Sequence, residues 1–196
     1  MFIKDWKKEI FTIPNILSFL RLILIPVYVA IYLNASCTTD YLLAGAILAV
    51  SCLTDLIDGK IARHFNMIST LGKIIDPLAD KATQFSLIIC LTTKHPILWT
   101  LVGLFVIKEG FQLIAGGINL RKGIMLKGAL LSGKICTTIL FVSLIVMVLI
   151  PSLSPDIVFI ITIADAVFML VAFVDYALTY KSRENKFQNI DLNNDV

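Results

Sequence analysis

Two apolar runs near the C-terminal end, ICTTILFVSLIVMVLI (135–150) and IVFIITIADAVFMLVAFV (157–174), are separated by only PSLSPD. Each approaches the ~20 residues that a helix needs to cross about 30 Å of hydrocarbon. Four further runs precede them: LILIPVYVAIYL (22–33), YLLAGAILAVSCLT (41–54), ATQFSLIICLTT (82–93) and ILWTLVGLFVI (97–107). Several of these are too short by themselves and reach spanning length only by running on into the charged segments beside them. The composition agrees, with 58% hydrophobic residues and a mean hydropathy of +0.88, against roughly 45–50% apolar residues in a soluble domain. The expected fold is therefore all-α: an integral membrane bundle of six transmembrane helices, in contact with the lipid bilayer and with no nucleic-acid partner.

The N-terminal stretch MFIKDWKKEIF carries five charges and leads straight into a full span, with no small-residue cleavage site of a signal peptide. As a helix it gathers Phe2, Ile3, Trp6 and Ile10 on one face, so residues 1–12 read as a short amphipathic helix lying at the interface and ending before Pro14. Residues 1–181 form one membrane domain, and the polar tail KSRENKFQNIDLNNDV leaves 182–196 as a disordered extension. Cys37, Cys52, Cys90 and Cys136 are scattered without a CxxC pair, so neither a zinc site nor a disulfide framework is expected.

Charge placement orients the bundle. With six spans, the links 34–40, 94–96 and 151–156 hold a single basic residue, Lys94. The other side receives Lys4, Lys7, Lys8, Lys60, Arg63, Lys73, Arg121, Lys122, Lys127, Lys134, Lys181, Arg183 and Lys186. The positive-inside bias puts both termini on the cytoplasmic side. The setting expected is a bacterial plasma membrane.

On that same side lies TDLIDGKIARHFNMISTLGKIIDPLADK (54–81), with four aspartates between two apolar stretches. Asp55 and Asp58 are three apart and Asp76 and Asp80 four apart, so on helices each pair shares a face. If the second span descends and the third climbs back, the pairs meet near one membrane boundary. Four facing carboxylates repel unless something compensates them. One or two divalent cations do so, because hard oxygen ligands suit Mg²⁺ or Mn²⁺. Gly59 opens the backbone to a close approach, and Lys60 and Arg63 supply positive charge for a diphosphate. The bland alternative is a salt-bridge network at a helix end. A cation carrier is a second alternative, but transport sites lie near the midplane on broken helices, and a carrier has no use for Gly59 and Arg63 at these spacings.

The segment reads Asp55-x2-Asp58-Gly59-x2-Ala62-Arg63-x8-Gly72-x3-Asp76-x3-Asp80. It resembles the motif of the CDP-alcohol phosphotransferase family at every defining position. The resemblance implies a homodimer of six-helix subunits whose active site opens to the cytoplasm and sideways to lipid. It implies that Asp55, Asp58, Asp76 and Asp80 bind two divalent cations, that Asp80 is also the general base, and that Gly59, Ala62 and Arg63 hold the CDP portion of CDP-diacylglycerol. TIPNILSFLRL (12–22) is similar to the opening of the branch that uses glycerol 3-phosphate as acceptor, with Ser18 where that branch has Thr. That likeness adds Asn15 to the donor site and Arg21 to the acceptor site. SGKICTT (132–138) is similar to a Gly-Lys-x2-Thr element of the same branch and makes Lys134 a ligand of the acceptor phosphate, with Arg121 a second candidate. A sister branch takes phosphatidylglycerol instead and should depend less on Lys134 and Arg121. Lys108-Glu109 stands where the branch has Arg-Glu. Asp165, in mid-span, and Asp175 fit a functional role and a paired structural one equally, and both are left outside the site.

Overall fold

A computed structural model of the chain describes residues 13–64, 72–121 and 130–194; the side chains of 13–14, 52–53, 55–64, 72–74, 120–121 and 183–194 fall outside that description. The expected interfacial helix, residues 1–12, lies outside it too. Among the described residues the secondary structure is helical throughout: α1 (Ile13–Leu33), α2 (Thr38–His64), α3 (Gly72–Thr92), a 3-10 turn (Pro96–Leu98), α4 (Trp99–Arg121), α5 (Leu131–Leu149) and α6 (Pro155–Asn194).

Four helical stretches are long and apolar enough to cross a bilayer: Asn15–Leu33, Pro96–Asn119, Leu131–Leu149 and Pro155–Ser182. The expectation of six is met in part. Helix α2 has 27 residues and α3 has 21, about 40 and 31 Å at 1.5 Å per residue. Their apolar portions are shorter, only Thr38–Ser51 in α2, because the aspartate segment occupies the end of α2 and the beginning of α3.

The helices form two compact units. In the first, α1 packs against both α2 and α3, joined by residues 144–153. The stripe of α3 that is buried runs Ala79, Thr83, Leu87, Leu91, the i, i+4 spacing of one helix face. Gly45 of α2 lies so close to Leu149 that a Cβ there would collide with that side chain. At the far end, the rings of Tyr28, Tyr32 and Tyr41 form a chain with centroids 6.0 and 5.5 Å apart, and the Lys94 ammonium sits 3.6 Å over the Tyr41 ring. The α1–α2 link is tied by Asp40, which accepts the backbone N–H of Ser36 at 2.8 Å and of Cys37 at 3.1 Å. These two bonds, Ser36 first, hold the Asp40 carboxyl below its usual range.

In the second unit α4 packs on α6, with Phe111 edge-on to Phe173 at 5.0 Å. Asp165 of α6 is 1% exposed and accepts the Ser143 hydroxyl at 2.5 Å. Large apolar side chains stay uncovered: Leu113, Ile114, Leu131 and Ile160 are each 65% or more exposed. In water such a surface would aggregate, whereas in lipid it meets its own kind.

Helix α6 runs for 40 residues, Pro155–Asn194, so the tail expected to be disordered is described as helix over 182–194, and 195–196 lie outside the described residues. Prolonging a formed helix avoids the nucleation cost, and the Lys, Arg, Glu and Gln of this stretch are good helix formers.

Candidate active site

Helix α1 turns a polar face inward. Asn15, Ser18 and Arg21 recur at i, i+3, i+6 and are 1%, 0% and 2% exposed, while Ile16, Phe19, Leu20 and Ile23 on the other sides are exposed. A lipid-facing helix inverts the usual amphipathic plan, because bilayer tails accept the apolar sides and the polar groups need partners inside the protein.

The partners are on α3. The Ser18 hydroxyl donates to Asp76 Oδ1, and Arg21 Nη1 donates to Asp80 Oδ1 at 2.5 Å. Asp76 lies three residues before Ala79 and Asp80 three before Thr83, so both carboxylates sit beside the start of the stripe that buries Ala79, Thr83 and Leu87. The face that packs α3 against α1 thus ends in two carboxylates, each already oriented by a donor from α1. Charge-assisted bonds of this kind are worth about 1.5–3 kcal/mol. The Asp80 side chain is still 46% exposed, so part of that carboxylate remains open to an incoming group.

Asp55, Asp58, Gly59, Ala62 and Arg63 lie toward the end of α2, which ends at His64; α3 begins at Gly72. Both aspartate pairs therefore occupy the helix ends that adjoin residues 65–71, and both helices pack on α1. The side chains of the α2 group are outside the described residues. Among the described residues alone there is no group of three or more His, Cys, Asp or Glu that could hold a metal. The described donors at this end, two carboxylates and a hydroxyl, are all hard oxygens and match the preference of Mg²⁺ or Mn²⁺.

The acceptor candidates of the second unit are placed differently. Lys134 is exposed on the first turn of α5, and Arg121 is the last residue of α4, with its side chain undescribed. Lys108 is 3% exposed and bonded to Glu109 at 2.6 Å. Asp175, left outside the expected site, accepts the Ser132 hydroxyl. Ser18 is the residue that motif reading undervalued: its place on the Asn15–Arg21 stripe, three residues from each, was the available signal.

A buried polar stripe on an otherwise apolar helix thus holds Asp76 and Asp80 at the start of α3. The family profile of CDP-alcohol phosphatidyltransferases matches residues 11–178. The chain belongs to that family. It is 32% identical over 171 residues to the CDP-diacylglycerol–glycerol-3-phosphate 3-phosphatidyltransferase of Aquifex aeolicus, covering 85% of this chain and 94% of that protein. Over 119 residues it is 36% identical to the cardiolipin synthase (CMP-forming) of Streptomyces coelicolor, covering 59% of this chain and 54% of that protein. Over 101 residues it is 39% identical to a cardiolipin synthase (CMP-forming)/mitochondrial hydrolase fusion protein of Schizosaccharomyces pombe, of which the match spans 16%.

Proposed function

We propose that this chain is a six-span membrane enzyme that transfers the phosphatidyl group of CDP-diacylglycerol to glycerol 3-phosphate, releasing CMP. The observation that carries the reading is the Arg21–Asp80 pair: a buried guanidinium held against the carboxylate assigned as base suits an acceptor whose own phosphate is anionic. The match along 94% of the Aquifex protein supports the same acceptor.

In this reading Asp80 takes the proton of the acceptor's sn-1 hydroxyl. The freed oxygen attacks the phosphorus that carries diacylglycerol, a new P–O bond forms, and the bond to CMP breaks. Arg21 holds the Asp80 carboxylate in position through Oδ1 and lies beside the acceptor; Ser18 does the same for Asp76. Asp55, Asp58, Asp76 and Asp80 would hold two divalent cations, Mg²⁺ or Mn²⁺, which neutralise diphosphate charge when bound. Gly59, Ala62, Arg63 and Asn15 receive the CDP portion, and Lys134 and Arg121 receive the acceptor phosphate. The working form is a homodimer with its active site on the cytoplasmic side of a bacterial plasma membrane.

A second reading, transfer to phosphatidylglycerol, is favoured by the higher identity to cardiolipin synthases over shorter stretches. CMP release measured with each acceptor in parallel separates the two. Turnover with glycerol 3-phosphate alone supports the first, and turnover only with phosphatidylglycerol replaces it by the second.

A further inference from the structure

The turn that opens α5 is gripped by two consecutive residues of α6. The Tyr176 phenol oxygen accepts the backbone N–H of Leu130 at 3.1 Å. Asp175 accepts the hydroxyl of Ser132. Gly133 lies against the Tyr176 ring so closely that a Cβ would stand 2.7 Å from Cε2 and 2.8 Å from the phenol oxygen. Leu130 has no side chain able to cap a helix, and no residue of α5's own first turn supplies the bond that a capping box would give its N–H. A phenol from another helix does so instead. Tyr176 is in turn backed by the Tyr180 ring, with centroids 6.2 Å apart.

The next residue is Lys134. Its N–H bonds to the Leu130 carbonyl at 3.1 Å, and its own carbonyl accepts the hydroxyls of Thr137 and Thr138 at 3.0 and 2.9 Å. Its backbone is thus tied on both sides while its side chain is exposed. A lysine ammonium is a point charge on a flexible stem, so how well it meets a phosphate depends on how firmly its Cα is held.

We propose that Tyr176 and Ser132, the latter through Asp175, are positioning residues that fix Lys134 for the phosphate of the acceptor. This rests on the reading of Lys134 as a ligand of that phosphate. Loosening the turn spreads the positions of the ammonium and weakens acceptor binding, while the chemical step at Asp80 and the binding of CDP-diacylglycerol proceed as before. The signature is a rise in acceptor KM with kcat and donor KM unchanged.

The test is CMP release by the detergent-purified full chain with CDP-diacylglycerol, Mg²⁺ and graded glycerol 3-phosphate. Tyr176→Phe keeps the ring and removes only the bond to Leu130; Ser132→Ala removes the bond to Asp175. Each should raise acceptor KM by roughly three- to ten-fold, the effect of one lost hydrogen bond. Neither should raise it further in a Lys134→Met background, where the group being positioned is gone. An unchanged acceptor KM in both variants, while Lys134→Met raises it, overturns the proposal and leaves the lysine's role intact. So do effects that persist in the Lys134→Met background, or that fall on kcat and thermal stability alone, since these mark ordinary packing. Lys134→Met without effect on acceptor KM overturns the underlying reading, and the proposal with it.

Discussion

At the scale of single residues, the decisive contacts are those that α1 makes to α3. Arg21 is buried against Asp80, so its charge cannot be removed without leaving a carboxylate unbalanced at the site. Arg21→Gln should lower kcat/KM for the acceptor by about 10- to 100-fold, the range of a lost charged hydrogen bond. Arg21→Lys should restore part of it. Initial rates of CMP release against acceptor concentration check both, and an unaltered Arg21→Gln would remove this residue from the site. Ser18→Ala should be milder, about ten-fold or less, because a neutral donor is lost. Spacing singled out the four aspartates and a likeness in the first span singled out Asn15 and Arg21; of these the structure pairs Arg21 with Asp80, while the side chains of Asp55 and Asp58 lie outside the described residues. The pairing of Ser18 with Asp76 was not legible in the sequence, since spacing along one helix says which residues share a face but not which residues of another helix meet it.

At the scale of elements, the buried acid of α6 is a constraint on how α5 and α6 pack. Asp165 Oδ2 takes the Ser143 hydroxyl, and Oδ1 has no hydrogen-bond partner among the described residues. Removing the one donor should therefore cost more than changing the acceptor. Ser143→Ala is expected to destabilise by about 1–3 kcal/mol, and Asp165→Asn, which can still accept the hydroxyl, by less. Thermal unfolding in detergent compares them, and the opposite order would contradict this account. Helix existence was legible in the apolar runs, including the way α2 and α3 extend through charged sequence. The end of α6 was not. A polar, Asn-rich tail reads as disordered from composition, but composition ignores the formed helix on which it grows.

At the scale of the whole molecule, the proposed six spans would put residues 34–40 and the end of α6 on opposite sides of the membrane. Cys37 is a free, exposed thiol in the first of these. A membrane-impermeant maleimide should label it in intact cells, whereas a cysteine introduced as Asn194→Cys should react only after permeabilisation. Labelling of both from one side would break the six-span topology. That topology was inferred from charge asymmetry, which acts on insertion and leaves no mark on the packing inside either unit. Phosphatidyl transfer from CDP-diacylglycerol with Asp80 as base is read out by CMP release from the purified chain with Mg²⁺ and glycerol 3-phosphate. Release should depend on the acceptor and fall by at least about 100-fold, the scale of general-base catalysis, in a folded Asp80→Asn variant. Release undiminished in that variant, or none with glycerol 3-phosphate in the unaltered protein, would contradict this mechanism.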